Sequence, residues 1–338
     1  MIALAVPGLA GLLAAELESV PGVSVADTGW DGRSDAVLFT ADGPAQRQAL
    51  AVRLAEDVLI EVGRTPRSAG DRAPWIGQRL TGPDRLRRAV AVRARLTGPA
   101  KDRATFRVVA RVLHERSFLR TDLRRELTAA IARRRPRWRP ADPAELEIWA
   151  LEYRPGRIVA GLRVSDRRMR QHGGRDAERP GALRPTVAAA MVRLAGPPDG
   201  ALIDPCCGAG TVLAEAAELG WRAAGFDLDP AAVRATRRNA AVAVARADVR
   251  RLPLLEQCAG ACVSNLPFGR RYPLPGGAET WLAAALAAVA RATRQGGRVV
   301  LLAPDLPRRA VPETLRLTER IPIRLLGQPA TIWAYDRH

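Results

Sequence analysis

Asp204-Pro205-Cys206-Cys207-Gly208-Ala209-Gly210-Thr211 is the stretch around which the chain is organised. A short apolar run, 201–203, precedes it, and an alanine-rich segment, 212–219, follows. That order predicts a strand, a glycine turn and a helix. Glycines at such a junction let the backbone pass close to a ligand, and the start of the helix offers N–H groups without intrahelical partners. Three more signals follow. Phe226-Asp227-Leu228-Asp229-Pro230 ends a second apolar run, Asp248 a third, and Ser264-Asn265-Leu266-Pro267-Phe268-Gly269 a fourth, at 261–263. Parallel strands deliver the side chains at their carboxyl ends to the ligand edge of an open α/β sheet. A fifth strand at 298–303 and a closing antiparallel pair at 323–326 and 330–334 bring the expected count to seven.

The chemistry of these strand ends points to a nucleoside ligand. A dinucleotide fingerprint would place a third small residue at 213, where this chain has Leu213. Lys101 is the only lysine, so no phosphate-loop lysine exists. A cofactor without a pyrophosphate fits better. Asp227, at the end of the second strand, is placed to accept both hydroxyls of a ribose. Asp248 is placed to receive an adenine amino group, with Val249 against the ring. Asp204 would face the cationic or amino part of the ligand. Cys206, Gly208, Gly210 and Leu228 complete the expected cofactor set, which Asn265 borders. The Asn265 side-chain oxygen and the main-chain oxygen of Leu266 together could accept hydrogen bonds from an exocyclic amine. Pro267 stiffens that turn, and Phe268 offers a flat face to a flipped base.

The chain has 338 residues, 47% of them apolar, and a formal net charge of +18. That is enough for two or three domains with real cores, and the charge favours a polyanionic partner, foremost nucleic acid. The charge is uneven. Residues 1–60 hold three arginines against eight acids, a net of −5, whereas residues 61–140 carry Arg85/Arg87/Arg88, Arg124/Arg125 and Arg133-Arg134-Arg135. No run reaches membrane-spanning length, because Glu16 and Glu18 interrupt the first candidate, and a cytoplasmic protein is expected. The four cysteines suggest no disulfide framework, and His114, His172 and His338 share no metal-ligand spacing, so no metal is expected. Nothing pairs a cysteine with a base for nucleophilic work.

Upstream, residues 1–62 read as β-α-β-β-α-β, a ferredoxin-like unit with a second helix over 44–55. Residues 63–165 form a second α/β block. It has a polar connection at 64–71, a helix at 83–96, a strand at 105–112, a helix from Thr121-Asp122 to 134, and a hairpin around Pro155-Gly156. In the helix, Leu123, Leu127 and Ile131 form one stripe and leave Arg124, Arg125 and Arg133 largely outside it. Such arginines suit phosphate contact better than base reading. Residues 166–183 read as a polar linker with an exposed His172, and Thr186 can cap the next helix.

The two motifs Asp204–Thr211 and Asn265–Gly269 resemble those of the S-adenosylmethionine-dependent guanine-N2 RNA methyltransferases that carry a THUMP domain. Phe106-Arg107-Val108 and residues 118–131 resemble the THUMP pattern, and Gly161-Leu162 and residues 180–186 resemble the passage into the catalytic domain. The resemblance covers essentially the whole chain. It implies a ferredoxin-like unit at 1–62, a THUMP RNA-binding domain at 63–165, a linker at 166–183 and a Rossmann-like methyltransferase domain at 184–338. It implies that Asp204, Gly208, Gly210, Asp227 and Asp248 surround the cofactor, that Asn265 and the Leu266 carbonyl hold the target amine, and that Phe268 stacks on the base. Many amino-methyltransferases have proline where this chain has Leu266, and the carbonyl survives that change. The substrate implied is a guanosine N2 amine in tRNA, in the acceptor stem, with RNA contacts from Arg107, Arg124, Arg125, Arg133, Arg134 and Arg135. S-adenosylhomocysteine would be the product. No metal, membrane or obligate protein partner is implied.

Rival readings share parts of this pattern. A ribosomal-RNA guanine-N2 enzyme, an adenine-N6 nucleic-acid enzyme and a glutamine N-methyltransferase all use the amine-holding logic, and the basic middle block argues against a free protein substrate. A noncatalytic RNA-binding or assembly factor would bind no cofactor. A nicotinamide-dependent enzyme is disfavoured by Leu213 and by the amine-holding loop.

Overall fold

The computed structural model describes residues 1–66, 72–114, 117–172, 174, 176–177, 179–267, 277–325 and 327–338, without the side chain of Arg167. The chain divides into two units, Met1–Arg170 and Gln171–His338.

The first unit opens as β1 (Ile2–Ala5), α1 (Ala10–Glu18), β2 (Val23–Trp30), β3 (Asp35–Ala41), α2 (Pro44–Gln48) and β4 (Asp57–Arg64). This is the β-α-β-β-α-β order expected. It continues with α3 (Ala73–Leu80), α4 (Pro83–Thr97), β5 (Thr105–Arg111), α5 (Arg120–Arg134), the two-residue β6 (Arg139–Pro140), β7 (Leu146–Arg154) and β8 (Arg157–Arg163). All eight strands form one sheet in the order β2-β3-β1-β4-β8-β7-β5-β6. The seam is the antiparallel pairing of β4 with β8. One buried cluster draws Ile2, Leu4, Leu38 and Leu59 from the first segment and Trp149, Leu151 and Val159 from the second. The two segments read separately in sequence thus share a sheet and a core, because β4 would otherwise leave an unpaired edge.

One local expectation changes, and two details are added. The helix anticipated over 44–55 stops at Gln48, because the Glu16 carboxylate, buried at 3% exposure, accepts the Arg53 and Leu54 N–H groups at 2.8 and 2.9 Å and draws the chain out of helical register. α3 went unread because Pro74 and Gly77 lower its apparent propensity. Gly77 lets α3 approach α5, since a Cβ there would lie 3.2 Å from Glu126 Cβ. The helix expected from Thr121-Asp122 to 134 is α5, and of that pair it is Asp122 whose carboxylate holds its start, accepting the Leu119 N–H at 2.9 Å.

The second unit follows a five-residue helix, α6 (Arg167–Gln171). It comprises α7 (Pro185–Leu194), β9 (Ala201–Asp204), α8 (Thr211–Glu218), β10 (Arg222–Asp227), α9 (Pro230–Asn239), β11 (Ala243–Arg246), β12 (Ala259–Asn265), α10 (Ala278–Ala292), β13 (Thr293–Ala303), β14 (Leu315–Leu325) and β15 (Gln328–Arg337). Its seven strands run β11-β10-β9-β12-β13-β15-β14. The first five are mutually parallel, and β15 pairs antiparallel with β13 and β14. This is the seven-stranded Rossmann-like sheet expected. Strand order reverses direction at β9, so the crevice between β9 and β12 is the topological switch point. Asp204, Asp227 and Asn265 are the last residues of β9, β10 and β12. Among the described residues, no helix is long and apolar enough to cross a membrane.

Candidate active site

The glycine turn is held from both sides. Asp204 is 1% exposed, and its Oδ1 accepts the Cys206 N–H at 3.1 Å and the Ser264 hydroxyl at 2.7 Å. The second bond ties the end of β9 to the end of β12. Burial pushes the Asp204 carboxyl up to about 7, because the apolar interior penalises its charge more than these two donors offset it. Asp227 Oδ2 accepts the Gly208 N–H and its Oδ1 accepts the Asp229 N–H, each at 2.9 Å. A single carboxylate therefore fixes the turn after β9 and the loop after β10.

Gly208 and Gly210 both have positive φ, +56° and +80°. At Gly210 a Cβ would come within 2.9 Å of Thr236 Cγ2, so bulk is excluded by α9. At Gly208 a Cβ would meet nothing within 4 Å, so that position borders open space. Leu213, which breaks the dinucleotide fingerprint, packs on Gly225, where a Cβ would sit 2.4 Å from Leu213 Cδ1. The close approach of helix and sheet is kept, with the small residue on the strand instead of the helix.

The third strand end is adjacent, since the Ala247 N–H donates to the Asp227 carbonyl at 3.1 Å. Asp248 caps a single helical turn, Val249–Arg251, by accepting the Arg250 N–H at 2.9 Å, and it pairs with the Arg250 guanidinium at 2.7 Å. That guanidinium holds the Asp248 carboxyl below the usual range. Val249 is buried, whereas Leu228 is 58% exposed beside Asp227. An adenine placed here would meet Val249 from the core side and find Leu228 as an apolar rim.

At the fourth end, Asn265 Oδ1 is buried without a hydrogen-bond partner among the described residues. An unpaired buried amide oxygen costs roughly 1–3 kcal/mol, and a donor arriving with a ligand recovers it. Leu266 is 2% exposed, joins the core that includes Ile203 and Trp281, and donates its N–H to the Leu302 carbonyl at 3.3 Å. Its side chain therefore takes a core role where related motifs have proline. Pro267 follows, half-buried. Phe268 and Gly269 lie outside the described residues. The thiols do not suit nucleophilic work: burial raises those of Cys206 and Cys262, and pushes that of Cys207 up to about 12. Among the described residues, no cluster of ligating side chains could hold a metal.

Several residues in this unit had no distinct sequence signal. Ser264 anchors Asp204. Asn239, at the end of α9, donates to the Ala209 carbonyl at 2.8 Å and to the Ala177 carbonyl at 2.7 Å, and accepts the Ala177 N–H at 2.9 Å. Arg179 pairs with Asp229 at 2.5 Å. The segment read as a linker is thus strapped to the cofactor loops. The side chain of His172, expected in solvent, is 6% exposed, and its Nδ1 lies 2.8 Å from Glu215 Oε1. Thr186 does not cap α7, whose cap position is Arg184. Its hydroxyl is buried in the first turn without a partner among the described residues.

The arginines expected to meet RNA divide into two kinds. Arg124 and Arg133 are exposed on α5. Arg125 is also exposed but pairs with Asp122 at 3.1 Å. Arg107 is engaged by Glu147 at 2.7 Å and Asp142 at 3.0 Å. Arg134 donates to the Thr81 and Gln78 carbonyls at the end of α3. Arg135 lies over the Trp138 ring at 5.4 Å.

Residues 172–318 match the family model described as RMKL-like, methyltransferase domain. A tRNA (guanine(10)-N2)-dimethyltransferase of Methanothermobacter thermautotrophicus is 38% identical over 97 residues, 27% of this chain and 29% of that protein. The U6 snRNA (guanine-N(2))-methyltransferase THUMPD2 of Mus musculus is 35% identical over 131 residues, 36% of this chain and 24% of that protein. The chain thus spans less than a third of the length of these two curated relatives. Along its whole length it shares the fold of TrmN from Thermus thermophilus, with a TM-score of 0.77 at 24% identity, covering 100% of this chain and 99% of that one. A possible methylase from Clostridium difficile 630 superposes with a TM-score of 0.68 at 14% identity, covering 100% and 97%. The structural likenesses bear out the fold read from the sequence, and the family match bears out a methyltransferase domain over residues 172–318.

Proposed function

We propose that this chain, whose residues 172–318 match the RMKL-like methyltransferase domain, transfers a methyl group from S-adenosylmethionine to the N2 amine of a guanosine in tRNA. The observation that carries this reading is the buried, unpartnered Asn265 Oδ1 at the switch point, one residue from the Ser264–Asp204 bond. An acceptor without a donor, followed directly by the Leu266 carbonyl, suits an exocyclic amine with two N–H groups. The open space beside Gly208 and the carboxylates of Asp204, Asp227 and Asp248 suit a cofactor with an amino acid end, a ribose and an adenine.

When bound, S-adenosylmethionine supplies a methyl already activated by its sulfonium. The chain's own residues then have to align the acceptor. A guanine amine is a weak nucleophile because its lone pair is delocalised into the ring. Asn265 Oδ1 and the Leu266 carbonyl hold its two hydrogens on one side and direct the lone pair to the other. The nitrogen gains a carbon and releases one N–H proton to solvent. Phe268 is assigned the stacking role on the resemblance alone.

We further assign RNA docking to the first unit, with Arg124, Arg125 and Arg133 on α5 as its phosphate contacts, and the acceptor stem as the region presented. A cytoplasmic setting agrees with an RNA substrate and with four unbridged cysteines. The second reading is a structured RNA other than tRNA, favoured by the likeness to the Mus musculus U6 snRNA (guanine-N(2))-methyltransferase. One experiment separates them. Purified protein and methyl-labelled S-adenosylmethionine are incubated with unmodified tRNA, ribosomal RNA, small nuclear RNA or DNA, and the products are digested to nucleosides. N2-methylguanosine from tRNA alone supports the proposal. Label in another RNA replaces the substrate, label on adenine N6 replaces the target atom, and no label with no cofactor binding overturns the enzymatic reading.

A further inference from the structure

An open groove of about 500 Å³ lies in the first unit where α3 meets α4. Of the six arginines singled out by motif, only Arg134 lines it. Trp75 forms one wall and is 42% exposed, unusual for a residue that normally covers core. Arg79 stands four positions later on the same face of α3, and Arg85 and Arg88 stand three apart on one face of α4. All four line the groove. Arg79, Arg85 and Arg88 are exposed, and none forms an ion pair among the described residues. The one acid in the lining, Asp84, is matched by Arg87 at 2.8 Å. Arg134 is committed to the carbonyls at the end of α3.

The geometry points to this groove as a seat for one unpaired nucleotide of the RNA, its base stacked on Trp75 and its flanking phosphates held by Arg79, Arg85 and Arg88. The volume lies within the range of small-ligand sites, ~300–1,000 Å³. An indole offers a flat face that stacks on any base. Guanidinium groups match phosphate oxygens in a planar, two-pronged fashion. Inside a duplex both faces of a base are already covered by its neighbours, so a base on Trp75 has to come from a single-stranded end or an extruded position. This inference rests on the RNA reading above and adds a site distinct from both the methyl-transfer pocket and the outer face of α5.

The test titrates the full chain against a fluorescently labelled single-stranded octaribonucleotide and, separately, an RNA duplex of the same strand. Trp75→Ala should weaken the single strand by about five- to a hundredfold and leave the duplex within about twofold, while Trp75→Phe retains most of the affinity. Replacing Arg79, Arg85 and Arg88 with glutamine should lower the salt slope for the single strand by about two. Unchanged cofactor binding and circular dichroism show that each variant is folded. Wild-type affinity in Trp75→Ala, or equal losses for strand and duplex, overturns the groove assignment. So does guanosine monophosphate binding as tightly as the octamer, which would make this a free-nucleotide site. If the wild type still methylates tRNA in those cases, only the groove assignment falls. Wild-type protein that binds neither RNA overturns the groove together with the RNA reading.

Discussion

Cofactor affinity should depend on pH through Asp204. Its carboxyl is pushed up to about 7 by burial, and in the proposed site it would face the cofactor's ammonium as the carboxylate. With that pKa, roughly 3% of the free protein carries the carboxylate at pH 5.5 and roughly half at pH 7. Affinity should therefore strengthen by about an order of magnitude over this window. The window stops at pH 7 because the ligand's own α-amino group titrates near ~8. Binding should release a proton, nearly a full one at pH 5.5 and about half at pH 7, measurable by calorimetry in two buffers of different ionisation enthalpy. Ser264→Ala removes a donor that lowers the Asp204 pKa, so it should move the midpoint above that of the wild type. Asp204→Asn should bind weakly and without pH dependence. Stability of the free protein follows the same titration. The folded pKa is raised, so the contribution is full below the unfolded value of ~3.9 and is lost as pH rises through about 7, on the order of 4 kcal/mol. A dissociation constant that stays flat from pH 5.5 to 7, or binding without proton release, refutes the reasoning.

Asn265→Ala should lower the methyl-transfer rate constant by about two orders of magnitude or more while leaving the cofactor dissociation constant within about threefold, read by single-turnover assay and calorimetry. Gly210→Ala forces a Cβ into a positive-φ position 2.9 Å from Thr236 and should destabilise the protein by ~1–2 kcal/mol in thermal or urea unfolding. Gly208→Ala meets no protein atom within 4 Å, so its larger effect should be on cofactor affinity. Arg124→Glu with Arg125→Glu should weaken tRNA binding about tenfold or more, with a shallower salt dependence and an unchanged cofactor dissociation constant. By contrast, Arg111→Ala leaves Asp31 buried without its 2.5 Å partner and should cost about 3–5 kcal/mol of stability, measured by denaturant unfolding.

The catalytic half was legible because parallel strands buried on both faces read as short apolar runs, and their chemistry sits at the carboxyl ends. Ala201, Leu202 and Ile203 announce Asp204, and Ala261, Cys262 and Val263 announce Asn265. The supports around those ends were not legible. Ser264 sits in the same run as Asn265, but only the folded sheet brings its hydroxyl to a residue sixty positions earlier. Asn239 closes a helix about thirty residues past the turn whose carbonyl it holds. The polar, glycine-bearing composition of 166–183 reads as a linker, yet the backbone of Ala177 and the side chains of His172 and Arg179 are bonded to α8, α9 and the loop between β10 and α9. Sequence composition reports solvation preference, and these segments satisfy it with fixed polar partners instead of water.

The charge asymmetry of the chain takes on a different meaning once β4 pairs with β8. The acid-rich first segment and the arginine-rich second one lie in one sheet, and their charges meet across it. Asp31 pairs with Arg111, Asp27 with Arg154 and Arg157, and Asp57 with Arg163 and Arg170. Asp31 and Asp57 are almost wholly buried, so these pairs stand apart from solvated ones such as Arg87–Asp84, which contribute about 0–1 kcal/mol. Removing either partner of a buried pair would strand a charge in the core. The arginines that hold the sheet are consequently withdrawn from any polyanion. The positive face left for RNA is narrower than the sequence suggests. It includes Arg124 and Arg133 on α5 and the Arg79, Arg85 and Arg88 groove beside Trp75, none of which forms an ion pair among the described residues, with Arg125 held to Asp122 only by an exposed pair.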